Sequence, residues 1–408
     1  MVPNGWSNTC IDDNITFSGG AQPPREVFKF EPEEGYIRLI QIRDYKSDKF
    51  ITYVPKKLAK KFCTADDVMI GRYGPPIFQI LRGIEGAYNV ALIKAIPKSG
   101  VDKEFMYYFL KRDPLLRVIE SFSQRTSGQT GIEMDVLKAY PMHLPPLPEQ
   151  RKIAQILSTW DRGIATTEKL IDASKQQKKA LMQQLLTGKK RLVDPETGKA
   201  FEGEWEEVKL GDICIVNPKK ASEPENGLVS FIPMDAVSED AKLLRKEVKQ
   251  YSEVFKGFTA FIDGDVLVAK ITPCFENGKG AQVFGLENGV GFGSTEFHVL
   301  RAKKNISSEF IYFLTNTSEF RIRGEMNMQG SAGQKRVTTD YLKLYKMTIP
   351  KELAEQQKIA SVLTAADKEI ELLEAKLVHL KQEKKALMQQ LLTGKKRVNL
   401  AQTMEVTV

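Results

Sequence analysis

Cysteine and histidine are scarce in this chain of 408 residues. The four cysteines (Cys10, Cys63, Cys214 and Cys274) lie far apart without a C-x-x-C pair, and the three histidines are equally scattered. Zinc sites and disulfide-rich folds space these residues in recognisable patterns. The sequence therefore argues against both and predicts reduced thiols.

Long hydrophobic runs are also missing. No stretch approaches the roughly 18 apolar residues of a membrane helix. The opening residues, Met1 to Trp6, have neither the basic region nor the apolar region of a secretory signal. A length suited to two to four domains and a 42% hydrophobic content predict a soluble, globular, intracellular protein.

Catalytic motifs are absent as well. The chain has no phosphate-binding loop, no H-E-x-x-H zinc motif, no nucleophile elbow and no Asn-Pro-Pro-aromatic loop of amino-methylating DNA methyltransferases. We interpret Gly285 to Gly293 as a turn or bulge cluster rather than a phosphate cradle, because it lacks a suitably placed lysine. Glu247 to Lys249 with Asp235 could serve a metal-dependent nuclease, but such triplets arise by chance when 27% of residues are charged. We predict no catalytic residue and no metal ligand.

The chain is mildly basic, with 60 Lys and Arg against 52 Asp and Glu, a formal charge of +8. The segments 149–192 and 355–398 carry net charges of +6 and +3, which leaves about −1 for the rest. Any nucleic-acid surface outside these segments therefore depends on local basic clusters. Solvation, matching of the helix dipole, and contact with DNA or a partner are all open for the basic segments.

An internal duplication is the strongest feature of the sequence. Lys178 to Arg191 and Lys384 to Arg397 share the same fourteen residues, KKALMQQLLTGKKR. At the same offset, Glu149-Gln150 matches Glu355-Gln356. Matches farther upstream are fainter and pair Gly128-Gln129 with Gly333-Gln334, among others. The chain thus reads A-B-A′-B′, with B segments nearly identical and A segments strongly diverged.

The B segments carry heptad stripes that predict long helices starting after prolines and stopping at Gly188 and Gly394. At 1.5 Å per residue each helix would be roughly 55 to 60 Å long. The first predicted seam is weaker, because polar residues interrupt it. Its members are Ile153, Leu157, Trp160, Ile164, Ile171, Leu181 and Leu185. The second predicted seam consists of Ile359, Leu363, Ala366, Ile370, Leu373, Leu377, Leu380, Leu387 and Leu391.

Two matching stripes in one chain predict an intramolecular coiled coil. A pseudo-twofold relation between the halves would make the helices antiparallel and place the A segments at opposite ends. The alternative is that each helix packs on its own globular domain.

The A segments mix short β-rich runs with amphipathic helices, which predicts an α+β fold with two mixed α/β domains. We expect the first domain over residues 1–147 and its helix over 148–192. A linker (193–204) leads to the second domain (205–353), its helix (354–398) and a tail (399–408).

At this point the residues resemble the specificity subunit of type I restriction-modification systems. The resemblance covers nearly the whole chain. It rests on the duplication and on the P-x-x-E-Q-x-K-I-A-x-x-L helix that ends in L-L-T-G-K-K-R. Further shared elements are Trp205 to Asp212, the Asp-Val runs at Asp67 and Asp265, and the turns at Ser127 to Gln129 and Ser331 to Gln334. The first globule departs from the pattern, since SNTCIDD follows Trp6 where the second has an x-x-x-x-Leu-Gly-Asp opening.

The resemblance implies a non-catalytic subunit in which two target recognition domains each read half of a bipartite DNA site. The coiled coil would set the spacer and dock two methyltransferase subunits, which bind S-adenosylmethionine and flip the target adenine. Two restriction subunits, which combine motor and nuclease, would join for cleavage. It also implies a cytoplasmic, nucleoid-associated location in a bacterium or archaeon.

Candidate DNA-binding residues are those that can contact base edges or phosphates. For each of them a solvated surface charge or a capping role is the alternative. We expect Gln129 and Gln334 to share a role in positioning, because they match across the halves. The candidates are Arg72, Tyr73, Arg125, Ser127, Gln129, Lys270, Thr272, Asn277, Lys279, Ser331, Gln334, Lys335 and Arg336.

Two other functional classes remain open from the sequence. A coiled-coil scaffold that joins proteins without reading DNA would also explain the paired helices. A methyltransferase or nuclease fused into this chain is disfavoured by the missing motifs.

Overall fold

The computed structural model describes residues 2–126, 129–331 and 333–400. The chain forms two compact units. The first unit contains Met1–Glu168 and Lys376–Val408, and the second contains Lys169–Ala375. Each unit therefore combines one globular segment with the first part of one long helix and the last part of the other.

Most of the first unit is formed by the first half of the chain. Its strands are β1 (Ser7–Cys10), β2 (Ile15–Gly19), β3 (Tyr36–Ile40), β4 (Tyr53–Pro55), β5 (Phe62–Cys63), β6 (Val68–Gly71), β7 (Gln79–Leu81), β8 (Gly86–Tyr88), β9 (Leu92–Pro97), β10 (Gln124–Thr126), β11 (Gln129–Gly131) and β12 (Pro141–Leu144). Its α-helices are α1 (Ile11–Asn14), α2 (Lys103–Leu110), α3 (Asp113–Phe122), α4 (Met134–Ala139) and α5 (Leu147–Leu185).

The second half repeats this order with few changes. Its strands are β13 (Trp205–Lys209), β14 (Cys214–Val216), β15 (Leu228–Ile232), β16 (Glu247–Gln250), β17 (Thr259–Ile262), β18 (Val266–Ala269), β19 (Gly280–Gln282), β20 (Val290–Gly293), β21 (Phe297–Ala302) and β22 (Lys346–Pro350). Its α-helices are α6 (Leu210–Ile213), α7 (Tyr251–Val254), α8 (Ser308–Thr315), α9 (Ser318–Met326), α10 (Thr339–Leu344) and α11 (Leu353–Leu391). Short 3₁₀ turns lie at Arg25–Val27, Ile42–Tyr45, Asp48–Phe50, Lys56–Leu58, Met234–Ala236 and Glu287–Gly289.

The two units have the same sheet topology although their sequences have diverged. One four-stranded sheet has the order β2-β9-β6-β7 in the first unit and β14-β21-β18-β19 in the second. The other has the orders β4-β3-β8-β5 and β16-β15-β20-β17, and in both units its β3–β8 or β15–β20 pair is parallel. The α+β class and the internal repeat are thus confirmed.

The start of each long helix is anchored to its own domain by a buried glutamine. The Gln150 side chain accepts from the backbone N–H of Asp102 at 2.7 Å and donates to the carbonyl of Pro145 at 2.8 Å. Gln356 repeats both bonds with the Ser307 N–H and the Pro350 carbonyl. Because an unpaired buried amide would be costly, each glutamine fixes where its helix leaves the domain.

The first unit is completed by the end of the other helix, which runs antiparallel to α5. Arg397 binds Glu149 through two hydrogen bonds of 2.7 Å, and Lys384 binds Asp161. Lys381 lies 2.7 Å from Glu168. As the residue number rises on one helix it falls on the other, which defines the antiparallel direction.

The second unit repeats these pairs with the roles of the helices exchanged. Arg191 binds Glu355 at 2.6 and 2.8 Å, and Lys178 binds Asp367. Lys175 lies 2.7 Å from Glu374. The arginines of the L-L-T-G-K-K-R runs therefore serve the fold in both units.

The apolar stripes belong to the domain cores as well as to the helix pairs. In the first unit Ile153 and Leu157 lie in one cluster with Phe105 of α2 and Leu391 of α11. Packing on the domain and packing between helices thus occur together. Of the predicted seam, Ile153, Leu157, Ile171, Leu185, Ile359, Leu363, Ile370 and Leu391 are buried, and Trp160, Ile164, Leu181, Ala366, Leu373, Leu377, Leu380 and Leu387 are half-buried.

Both long helices end at Leu185 and Leu391, just before the glycines at which the sequence predicts the stop and within the segments 148–192 and 354–398 assigned to them. The glycines that follow, Gly188 and Gly394, have φ values of +70° and +68°. A β-carbon on Gly188 would also lie 3.1 Å from the Trp205 ring. The chain leaves the helix here because glycine alone accepts this conformation so close to an aromatic ring.

The start of the first globule aligns with the second, although the residues after Trp6 depart from the pattern. β1 pairs with β12 as β13 pairs with β22. Asp13 accepts the backbone N–H of Cys10 at 2.8 Å, and Asp212 accepts that of Lys209 at 3.2 Å. The residues I-D-D stand where L-G-D stands in the copy, so the capping aspartate was preserved while its neighbours changed.

An aspartate precedes the strand at the centre of each domain. Asp67 lies 2.6 Å from Lys94 and 3.3 Å from Lys103, and Asp265 binds Arg301 through two hydrogen bonds. Burial works to raise the pKa of Asp67, but hydrogen bonds from Lys94, the Thr64 N–H and Lys103 outweigh it and lower the pKa to about 2.

Among the described residues, no helix is long and apolar enough to span a bilayer.

Acid should destabilise the first unit through Asp67. The folded pKa lies below the unfolded value of about 3.9, so the carboxylate contributes fully above that pH and its contribution is lost as the pH falls towards 2. We expect Asp67→Asn to lower stability at pH 6 and to flatten the loss below pH 4, measured by urea unfolding. The exposed neighbour Asp66→Asn is the control. An unchanged acid slope in Asp67→Asn would contradict this assignment.

A hydroxyl beside the helix pair is present in the first unit and missing from the second. The Tyr108 hydroxyl donates to Asp161 at 2.7 Å, whereas the equivalent position in the second unit is Phe313. Burial works to raise the pKa of Asp161, but the hydrogen bonds from Lys384 and Tyr108 hold it below its usual value.

Tyr108→Phe should therefore lower the free energy of unfolding by about 1.5 to 3 kcal/mol, the cost of a lost hydrogen bond to a charged group. Urea denaturation measures this change. Tyr53→Phe, whose hydroxyl has no partner among the described residues, is the control. A Tyr108→Phe protein as stable as the parent would show that Lys384 alone satisfies Asp161.

Candidate nucleic-acid interface

In each unit the end of the central strand meets a loop that precedes a helix. The Arg72 N–H donates to the Ala91 carbonyl at 2.8 Å, and the Arg72 carbonyl accepts from the Ile132 N–H at 3.3 Å. Lys270 makes the same two bonds with Glu296 and Val337, both at 2.9 Å. Arg72 and Lys270, which follow the matched Asp-Val strands in the sequence, thus occupy equivalent backbone positions.

In the first unit this junction brings several of the candidate residues together. Tyr73 forms a bridge with Gly131, and the Arg72 guanidinium lies over the Tyr73 ring at 5.3 Å. Arg125 and Gln129 lie on the paired strands β10 and β11, opposite Thr130 and Thr126. Ser127 falls outside the described residues.

In the second unit the same junction joins the two candidate loops. Ile271 bridges Arg336, and the Thr272 N–H donates to the Lys335 carbonyl at 3.0 Å. The Ser331 carbonyl accepts from the Gln334 N–H at 3.0 Å and closes the turn before them.

Asn277 and Lys279 follow on the loop after β18. The Asn277 amide donates to Glu239 at 2.8 Å, and the Lys279 ammonium reaches the Met234 carbonyl at 3.5 Å. Both lie on the chain that links the junction to β19, which begins at Gly280.

The sequence gives no sign of the acidic partners at this junction. The Thr272 hydroxyl donates to Glu276 at 2.7 Å. Glu296 binds Arg336 with two hydrogen bonds of 3.0 and 2.9 Å. Glu296 directly precedes β21, but no spacing rule links it to an arginine forty positions later. Only the folded sheet places them together.

The features that suggested enzyme chemistry take other roles. Asp235 binds Arg245 at 2.6 Å, and the Lys249 ammonium lies over the Phe231 ring at 4.1 Å. Gly285 to Gly293 forms a 3₁₀ turn and a strand. Within residues 2–126, 129–331 and 333–400, no group of three or more His, Cys, Asp or Glu side chains could hold a metal ion.

A second surface, the helix groove, occurs once in each unit. In the second unit it is a cavity of about 880 Å³ between α5 and the turn from α8 to α9. In the first unit it measures about 410 Å³ between α11 and the turn from α2 to α3. The long helices and the turns that follow them line both grooves with identical side chains: Lys175, Lys178, Lys179, Met182, Gln183, Thr187 and Lys189 in the second unit, and Lys381, Lys384, Lys385, Met388, Gln389, Thr393 and Lys395 in the first.

The domain sides of the two grooves differ. In the first unit Lys385 pairs with Asp113 at 2.7 Å. In the second unit the equivalent Lys179 has no ion-pair partner among the described residues, and Asn316 to Glu319 form the opposite wall. One helix surface is therefore presented twice in different surroundings.

Comparison with known proteins agrees with this architecture. Residues 3–175 and 202–382 match the family described as the type I restriction modification DNA specificity domain. The type I restriction enzyme MjaVIII specificity subunit of Methanocaldococcus jannaschii is 26% identical over 97% of this chain and 94% of its own length. The Escherichia coli EcoEI specificity subunit is 39% identical, but the match spans 36% of this chain and a quarter (25%) of that relative.

Two solved structures share the fold. The type I restriction-modification S subunit from M. genitalium superposes with a TM-score of 0.56 at 14% identity, covering 95% of this chain and 96% of that one. A chain from a study of complex assembly in the type I system gives 0.57 at 16% identity, covering 97% and 100%. The family match extends over both halves of the chain, so the protein belongs to the type I restriction-modification DNA specificity family.

Proposed function

We propose that this chain is the non-catalytic specificity subunit of a type I restriction-modification complex, in which each unit reads half of a bipartite DNA sequence. The observation that carries the proposal is the paired junction at Arg72 and Lys270. One backbone framework there displays different side chains in the two units. A repeated frame with divergent side chains suits two readers of different sequences.

The charge distribution supports a subunit that binds DNA as part of a complex with partner subunits. The chain outside the two basic helix segments has a net charge of about −1. Phosphate contacts supply much of the affinity of DNA-binding proteins. The recognition surfaces therefore contribute base choice, and partner subunits supply additional affinity. In this role the long helices set the number of base pairs between the half-sites.

Selection from random duplexes tests the reading of DNA. The complex of this chain with its methyltransferase subunit should enrich two short defined half-sites separated by a fixed spacer. Arg72→Ala should relax only one half-site and Lys270→Ala only the other, by about 1 to 3 kcal/mol at the affected base pair. Lys304→Ala, at an exposed turn residue beyond the end of β21 that lies away from Glu296, is the control. Enrichment of no sequence would reject the proposal in favour of a scaffold.

The helix grooves are the proposed docking sites of two methyltransferase subunits. Identical helix side chains in both grooves suit two copies of one partner. Each groove presents both basic and apolar groups. Lys179 and Met182 in one groove correspond to Lys385 and Met388 in the other. In this arrangement S-adenosylmethionine and adenine flipping belong to the partner. Two restriction subunits would join that assembly for cleavage.

Charge reversal tests the grooves one at a time. Lys179→Glu and Lys385→Glu should each lower the number of bound methyltransferase subunits from two to one, and the double variant should bind none. Mass photometry of the mixed subunits gives the stoichiometry. Lys304→Glu carries the same charge change outside both grooves and should retain two. Full occupancy in the double variant would place docking elsewhere.

A further inference from the structure

The ion pair between Glu296 and Arg336 is a special feature of the second recognition junction. Its two hydrogen bonds join the Arg336 Nε and Nη2 atoms to the two carboxylate oxygens. The Arg336 Nη1 atom also donates to the Gln334 carbonyl at 3.2 Å. The guanidinium is thus held on two sides at the meeting point of the candidate DNA-binding loops.

The fold does not need this pair. By the shared backbone bonds, Ala91 is the first-unit counterpart of Glu296, and Gly131 takes the place of Arg336 by its bridge to Tyr73. The same junction forms there with neither charged side chain. Both members are present in one unit and both are missing from the other, which points to a task specific to the second domain.

Simple phosphate binding explains the pair poorly. A cation that neutralises a phosphate gains affinity by releasing counterions. Arg336 already has a carboxylate partner, so the pair carries no net charge. Glu296 would also repel a phosphate brought close to it. An uncharged hydrogen-bonding target fits the pair better.

The free donors of Arg336 suit such a target. A guanidinium has five N–H donors, and three of those on Arg336 are engaged within the unit. Two donors remain on a side chain that is 41% exposed. Two donors of an arginine match the O6 and N7 acceptors of guanine in the major groove.

We propose that Glu296 is a positioning residue that holds Arg336 ready to bind a guanine in the half-site read by the second unit. The proposal rests on the proposed function, because it assumes that this unit reads DNA. Held at its Nε edge, the arginine loses less freedom on binding and its two remaining donors keep one orientation. The carboxylate thereby converts a flexible cation into a selective reader.

Selection from random duplexes with the reconstituted methyltransferase complex tests the proposal. The parent should require guanine at one position of one half-site. Glu296→Gln keeps the shape but weakens the pairing, and should reduce the preference for guanine at that position by about five- to fifty-fold. Arg336→Ala should abolish the preference. Lys335→Met should weaken binding about equally for all sequences.

The first unit supplies the folding control. Glu296→Ala combined with Arg336→Gly installs the residue pair with which the first unit already forms this junction. This variant should keep the parent circular dichroism spectrum and lose the preference for guanine. Glu296→Asp should restore part of the preference lost in Glu296→Gln.

The outcomes separate this proposal from the broader one. Two defined half-sites whose base preferences are the same in the parent, Glu296→Gln and Arg336→Ala would overturn the guanine assignment and leave DNA reading intact. Loss of guanine in Arg336→Ala but not in Glu296→Gln would overturn the positioning role. No base preference in the parent would overturn the proposed function itself.

Discussion

A buried glutamate at the start of each long helix is the constraint on which both units depend. Glu149 and Glu355 are 2% and 1% exposed, and each is neutralised by an arginine that follows the end of the other helix. Removing the arginine leaves a carboxylate that is almost fully shielded from solvent without its counter-charge, which costs more than a surface ion pair gains. The two carboxylates therefore hold the end of each long helix beside the start of the other, which is the arrangement that defines the units.

This constraint explains why the B segments remained alike while the A segments diverged. Three acidic residues of α5 require basic partners at fixed positions in and after α11: Glu149, Asp161 and Glu168. Their copies in α11 require the equivalent basic residues in and after α5. A change at one member of a pair disturbs its unit unless the partner on the other helix changes with it. The recognition junctions are joined by backbone hydrogen bonds, so their side chains can change freely.

Much of the architecture follows from the sequence because its signals are local or repeated. The strand Val266 to Ala269 and the helices around Phe105 and Phe310 are visible as apolar runs and amphipathic periods. The duplication further predicts that both halves share one fold. Gly188 marks the end of its helix through its known preference for positive φ.

The sequence fails where contacts join distant positions. For the segments that contain Arg191 and Arg397 it left open solvation, matching of the helix dipole, and contact with DNA or a partner, because nothing local shows that Glu355 and Glu149 lie beside them. The partners of Arg336 and Asn277 were missed for the same reason. At the opening after Trp6 the residues depart from the Leu-Gly-Asp of the copy, so the sequence does not show that Asp13 keeps the capping role of Asp212.

The division of the chain between the units has a consequence for the order of folding. The second unit is built from one continuous stretch, residues 169–375. The first unit buries Leu391 and Leu392 in the same cluster as Ile11 and Phe105. During synthesis the second unit has all of its parts before the first has the apolar residues that close its core. The first domain, which is synthesised earliest, must therefore wait for the end of α11, which is synthesised among the last segments. Until then, the surface of the first domain that binds α11 is exposed to water and to chaperones.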